Sequence, residues 1–154
     1  MDKGMDNLGF LIVDSARLLR AAFERRITQA GLGLTPGEAR ALMNIASVDG
    51  SRQLDIATRM GVEPMTLCAY LDKLQAIGLI ERQQCSADRR AKRINLTSTS
   101  EEMIASIRKE LNVIIAQATD GLDNEQNRML RESLALLNSN LQAVTASATA
   151  SDEN

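Results

Sequence analysis

The chain has 154 residues, a formal net charge of −2 and an apolar fraction of 44%, which together predict one domain with or without an oligomerisation element. It contains no histidine and only two cysteines, so the commonest general base, the usual nitrogen ligand of zinc and a disulfide framework are missing. An enzyme, a bound metal and any other cofactor are therefore not expected. Aromatic residues make up 2%, which argues against the stacking surfaces that bind single-stranded nucleic acid.

No signal peptide precedes the first helix and no apolar run approaches a membrane span, so we expect a cytoplasmic protein without a membrane partner.

The first half of the chain is predicted to be helical. Apolar residues recur at helical spacing from Leu8 and the stripe ends at residues 31–33. Residues 35–38, Thr-Pro-Gly-Glu, predict a capping box in which Thr35 and Glu38 start a second helix. That helix is expected to stop near residue 50.

Residues 54–74 have the pattern of a helix–turn–helix. Ser51 is predicted to cap a short third helix, and Gly61 permits the tight turn before a fourth helix that begins near Pro64. The second helix of such a pair can lie in the major groove of DNA. Its predicted outer face consists of Pro64, Met65, Thr66, Ala69, Tyr70 and Lys73. An ordinary packed helix pair shows the same pattern, so this motif alone leaves DNA binding open.

A basic hairpin is predicted over residues 78–97, with Ile80 on its first strand and Ile94 and Leu96 on its second. Its five basic residues are opposed by two acids; they are Arg82, Arg89, Arg90, Lys92 and Arg93, against Glu81 and Asp88. A helix–turn–helix followed by such a hairpin is a winged helix, whose arginines can contact phosphates or enter a narrow minor groove. Asp88 is expected to pair with Arg90 and fix the turn. The alternative, a charged edge hairpin protected from aggregation, does not explain the excess of bases.

Two further helices are predicted after the hairpin, one opening at Thr97-Ser98 and one capped by Asp123. The last helix has leucines in alternating steps of four and three, a 3.5-residue period that predicts a partner helix. The residues predicted to form a homodimer are Leu8, Leu11, Leu130, Leu134, Leu137 and Leu141. The fold class is thus mainly α, with a helical dimerisation region (1–33 and 98–145), a winged-helix DNA-binding region (34–97) and a disordered polar tail (146–154).

The segment LDKLQAIGLIERQQCSADRRAKRINLT resembles the DNA-binding core of the MarR family of bacterial transcription regulators. The wing, CSADRRAKRI, is most similar to the SlyA-like branch, and the match is specific from about Leu54 to Thr97. The resemblance implies a homodimer that binds a palindromic site on double-stranded promoter DNA, and a small, often aromatic anion as effector. By position, Asp88 and Arg90 resemble the family's wing Asp-x-Arg, and Arg89 resembles a second minor-groove arginine.

Ala69 departs from that branch, which usually carries an arginine there for a bidentate contact to guanine. Base reading is then expected to fall to Thr66, Tyr70 and their neighbours. Cys85 is a candidate redox site because nearby arginines favour a thiolate, although SlyA-like wings often carry a cysteine there without a sensing role.

From the winged helix and the family resemblance, we predict a transcriptional regulator that acts by promoter occupancy. The alternative is a winged helix used for architectural or protein contacts with weak sequence specificity.

Overall fold

The computed structural model describes residues 7–84 and 92–152, and side chains up to residue 148. Over these ranges the chain forms six α-helices and one antiparallel pair of strands, which confirms the predicted mainly α fold class. The elements in chain order are α1 (Leu8–Ala30), α2 (Pro36–Ser47), α3 (Gln53–Met60), α4 (Pro64–Ala76), β1 (Ile80–Gln84), β2 (Lys92–Leu96), α5 (Ser100–Ala118) and α6 (Asn124–Asp152). None of the helices in the described ranges combines the length and the apolar character that crossing a membrane requires.

Helix α2 lies at the centre of the core. It packs against α1, α3, α4 and β2, and four of its side chains are buried. From α4, the side chains of Leu67, Leu71 and Leu74 enter the same core and are fully inaccessible to water. Because these three leucines recur in steps of four and three, one face of α4 is buried and the opposite face is left exposed.

The predicted capping box at the start of α2 is confirmed. The hydroxyl oxygen of Thr35 accepts a hydrogen bond of 3.2 Å from the backbone N–H of Glu38, and the Glu38 carboxylate accepts one of 2.9 Å from the backbone N–H of Thr35. Asp123 makes the equivalent pair of bonds with Gln126 at the start of α6, as its predicted capping role requires. Both helix starts therefore follow from residues three positions apart.

The hairpin has the predicted strands, with Ile80 on the first and Ile94 and Leu96 on the second. Ile80 lies opposite Leu96, and Arg82 lies opposite Ile94. The chain just before α3 runs along the outer side of β2, where the backbone groups of Ile94 bond to Gly50 and Ser51 at 2.9 Å each. This pairing explains why the predicted cap at Ser51 is wrong: Ser51 is engaged with β2, and the N-cap of α3 is Arg52, which makes no side-chain capping bond.

The hairpin leads into α5 two or three residues later than predicted. The hydroxyl groups of Thr97 and Thr99 both donate to the carbonyl oxygen of Gly78, at 2.6 and 2.7 Å. The buried hydroxyl of Ser100 donates to the carbonyl oxygen of Thr97 at 2.7 Å. These bonds hold the exit of the hairpin at the end of α4, and the helix begins at Ser100.

The chain divides into two compact units, the first ending at Ile114 and the second beginning at Ile115. The second unit contains α6, which continues to Asp152 and so differs from the disordered tail predicted from residue 146. The segment 143–150 is rich in alanine, the residue with the highest helix propensity, and this offsets the low hydrophobicity on which the prediction rested.

Candidate nucleic-acid interface

The outer face of α4 is accessible to a partner. Its exposed residues include five of the six predicted to face DNA, namely Pro64, Met65, Thr66, Ala69 and Lys73. Met65 has 86% of its surface accessible, the highest value among the large apolar side chains that the structure describes. The first turn of α4 thus presents apolar side chains to solvent while the opposite side of the same helix is fully buried.

Tyr70, the sixth residue of the predicted face, is half-buried and packs against the core. A Cβ atom placed on Gly37 would clash with the Tyr70 hydroxyl, so the ring lies directly over the first turn of α2. Gly37 is therefore required for this close approach. The predicted base-reading role of Tyr70 stays a prediction, and the structure places its ring in the packing of α4 against α2.

Cys68 also points inward, toward α3. Its sulfur is half-buried and accepts a hydrogen bond of 2.9 Å from the side-chain amide of Gln53 on α3. This contact links the two helices of the helix–turn–helix. The other cysteine, Cys85, lies outside the described residues, as do the predicted wing residues Asp88, Arg89 and Arg90.

Arg82, one of the predicted DNA-binding wing residues, lies largely buried against α4. Its side chain is 16% exposed, on the same side of β1 as the buried Ile80. The guanidinium Nε donates to the side-chain oxygen of Gln75 at 2.6 Å, and Nη2 forms an ion pair with Asp72. Gln75 and Asp72 both belong to α4, so Arg82 joins the first wing strand to the predicted recognition helix. The predicted role of Arg82 in DNA binding stays a prediction.

The second strand is attached to a different part of the molecule. Arg93 is exposed, and its Nη1 donates to the carbonyl oxygen of Gly50 at 2.8 Å. The backbone N–H of Leu96 donates to the Asp49 carboxylate at 2.9 Å. Lys92, at the start of β2, is exposed. The base of the wing is therefore held on one side by α4 and on the other by the loop between α2 and α3.

The first unit also contains a groove that motif reasoning did not predict. It has a volume of about 280 Å³ and carries two arginines on an otherwise largely apolar wall; the lining residues are Ala16, Leu19, Arg20, Phe23, Arg40, Met43, Asn44 and Leu111. Burial, followed by the nearby charge of Arg20, lowers the pKa of the Arg40 guanidinium. Arg40 Nη2 also lies 3.5 Å from the carbonyl oxygen of Met60, at the end of α3. Twenty positions separate the two arginines in sequence, so only packing of α1 on α2 reveals the pair.

The residues predicted to form a dimer are accessible in the single chain. Leu8 and Leu11 on α1 are 54% and 55% exposed. On α6, Leu130, Leu134 and Leu141 are 40%, 48% and 56% exposed, and Leu137 is half-buried. Each helix thus exposes several large apolar side chains in the single chain.

A family model described as the MarR family matches residues 34–92. The transcriptional regulator PA3341 is 30% identical to this chain with a TM-score of 0.70, over 88% of this chain and 98% of that one. A MarR transcriptional regulator from Methanosarcina mazei Go1 is 22% identical with a TM-score of 0.76, over 90% and 99% of the two chains. CouR from Rhodococcus jostii RHA1, solved with bound p-coumaroyl-CoA, is 19% identical with a TM-score of 0.67, over 87% and 93%. The structural likeness therefore extends well beyond residues 34–92.

Proposed function

This chain belongs to the MarR family of transcriptional regulators, and we propose that it is a homodimer that binds a specific sequence in promoter DNA and represses transcription by occupying it. The observation that carries this proposal is the two-sided environment of α4. Its inner leucines are fully buried, while the residues at its start are exposed next to a hairpin held at a defined position. Such a helix can enter the major groove while the wing follows the backbone.

The wing is proposed to supply affinity rather than sequence reading. Lys92 is exposed at the start of β2, and Arg89 and Arg90 precede it in the sequence. Basic side chains at this place neutralise phosphates and release counterions, which strengthens binding to any duplex. The wing sequence also supports the SlyA-like branch as the narrower assignment, with Ala69 as the departure that sets this chain apart.

Self-association is proposed to use the exposed leucines of α6 and α1. Large apolar side chains that recur along one helix stripe favour a partner surface, because their exposure to water is unfavourable. A two-fold dimer would present two copies of α4, and the matching DNA site would be a palindrome with half-sites about one helical turn apart.

A small aromatic anion is proposed as the effector that releases DNA, and the groove with Arg20 and Arg40 is its proposed site. An anionic group between the two guanidinium groups would relieve their mutual repulsion, and the apolar wall suits an aromatic ring. Ligand pockets commonly span about 300–1,000 Å³, so a groove of about 280 Å³ favours a small ligand. CouR, with its bound p-coumaroyl-CoA, is an example of the same fold holding a ligand with an aromatic group.

The groove is also placed so that a ligand could affect the DNA-binding helices. Arg40 reaches the carbonyl oxygen of Met60, which lies at the turn between α3 and α4. A ligand that draws the Arg40 guanidinium toward Arg20 would weaken this contact and change the support of the turn. For the ligand to release DNA, its binding must favour a conformation of the protein that has lower affinity for DNA.

The decisive experiment is selection of bound duplexes from a random DNA pool by the full-length chain. We expect enrichment of a palindromic sequence whose half-sites are centred about 10 base pairs apart. Competition between the enriched duplex and random duplex then measures specificity. Equal competition by both would contradict the proposal and favour the alternative, an architectural or protein-interaction module, which the arginine-poor outer face of α4 keeps open.

A further inference from the structure

We propose that α4 recognises its DNA site chiefly through the C5-methyl groups of thymine, which would contact Met65 and Ala69. The inference rests on the proposed function, because it takes α4 to be the helix in the major groove. The tertiary structure leaves both of these side chains exposed on the outer face of α4.

Three side chains of α4 that carry polar atoms are already engaged within the protein. The Tyr70 ring packs against Gly37, the Cys68 sulfur accepts a hydrogen bond from Gln53, and the Asp72 carboxylate forms an ion pair with Arg82. Each of these interactions also holds α4 in place against a neighbouring element. Using one of the three side chains to read a base would therefore mean giving up a contact that positions the helix.

The side chains that remain at the start of α4 are mostly apolar. Pro64, Met65, Thr66 and Ala69 are all exposed, and residues 64–72 include neither lysine nor arginine. Met65 and Ala69 are four positions apart, which places them on one helix face. Lys73 follows Met65 by eight positions, or about 12 Å along the helix axis, and suits a phosphate better than the bases under Met65.

The chemistry of the major groove then selects the base. Bidentate reading of guanine uses arginine or lysine, and bidentate reading of adenine uses asparagine or glutamine, none of which occupies residues 64–72. Thymine presents a methyl group, the apolar feature of the major groove that an apolar side chain can contact. The unbranched thioether of Met65 can adapt to such a methyl. Thr66 adds one hydroxyl that can bond to a neighbouring acceptor.

The test compares thymine with deoxyuridine, which lacks the C5-methyl group and keeps the same hydrogen-bonding edge. The duplex enriched from the random pool is synthesised with single and multiple deoxyuridine replacements, and the dissociation constant of each is measured. We expect affinity to fall by about fourfold for each contacted methyl group that is removed. Replacements outside the half-sites serve as the DNA control and should have no effect.

Protein variants assign the effect to α4. Met65→Ala should bind the thymine duplex more weakly than the wild type and should lose the response to deoxyuridine at the thymine that Met65 contacts. Met65→Gln should shift the selected sequence toward adenine at the contacted position. Ile77→Ala removes an exposed apolar side chain at the far end of α4 and should keep the full response.

The possible failures are distinguishable. Enrichment of a specific sequence whose binding is unchanged by every deoxyuridine replacement would overturn the thymine inference and leave the proposed function standing. The same holds if Met65→Ala retains the full response to deoxyuridine. If the random pool yields no enriched sequence, the proposed function itself fails, and the inference falls with it.

Discussion

Helices α4 and α6 carry the same kind of leucine pattern in opposite environments. Leu67, Leu71 and Leu74 of α4 have no accessible surface, whereas Leu134 and Leu141 of α6 are 48% and 56% exposed. Helix α4 packs against α2, α3 and β1, while none of the α6 side chains described, up to residue 148, is buried. A helical leucine stripe therefore predicts an apolar partner. Whether the partner belongs to the same chain depends on what the fold brings next to the helix.

The largest effect is expected from charging the α6 stripe. In a dimer, Leu134→Asp with Leu141→Asp would place four carboxylates in an apolar interface, at a cost of several kcal/mol per ion. Sedimentation velocity should show a single chain of 16.8 kDa in place of twice that mass. Leu136→Asp, at a more exposed leucine outside the stripe, is the control and should leave the mass unchanged. A wild-type chain that sediments as a monomer would refute the assignment of α6 to self-association.

The next largest effect is expected from shortening an inner leucine of α4. Leu71→Ala leaves a cavity in a fully buried site and should lower the free energy of unfolding by about 2–5 kcal/mol. Urea denaturation followed by circular dichroism measures this change. Leu130→Ala in the Leu134→Asp/Leu141→Asp background replaces an exposed leucine of α6, and should cost far less than Leu71→Ala in the same background. Similar losses of unfolding free energy at the two sites would show that the leucines of α4 and α6 do not differ in burial.

Variants of Arg82 and Arg90 distinguish two roles of the wing arginines. Arg82 attaches the wing to α4, whereas Arg90 is predicted to contact DNA. Arg82→Gln removes the ion pair with Asp72 and should lower stability by about 1 kcal/mol, a small value because Asp72 is exposed. It should weaken DNA binding while the dependence of log affinity on log salt keeps its slope. Arg90→Ala should reduce that slope by about 0.9 per subunit, because a phosphate contact is lost.

Two further variants sharpen this contrast. Asp72→Arg combined with Arg82→Asp reverses the ion pair and should recover part of the lost affinity, whereas each change alone should not. Arg108→Gln removes the same positive charge from an exposed position of α5 and is the matched control for charge. A reduced salt slope for Arg82→Gln would show that Arg82 contacts the DNA backbone after all.

The smallest effect is expected at the groove in the first unit. Benzoate should raise the thermal midpoint of the wild-type chain by a few degrees when its concentration is well above its dissociation constant. Arg40→Gln should reduce this shift, and benzamide, which has the ring without the charge, should produce less of it. Arg59→Gln removes an exposed arginine of α3 that does not line the groove, and should behave like the wild type. Equal shifts for benzoate and benzamide would refute the role of the two arginines.

Local sequence features determined much of the fold. The start of α2 follows from Thr35 and Glu38, and the second strand of the hairpin follows from the alternation at Ile94 and Leu96. Both depend on residues a few positions apart, for which backbone geometry leaves few alternatives. The exposed start of α4 was predictable for the same reason, because Leu67, Leu71 and Leu74 define its buried face.

Contacts between distant parts of the chain decided the rest. Arg82 is one of five basic residues in its segment, and only the packing of β1 beside α4 shows that it faces Asp72 and Gln75. The sequence assigns Tyr70 to the outer face of α4, whereas the structure packs its ring against the first turn of α2. Charge and periodicity along a sequence describe what a side chain can do. Which of these interactions it makes depends on neighbours that the sequence separates and the tertiary structure brings together.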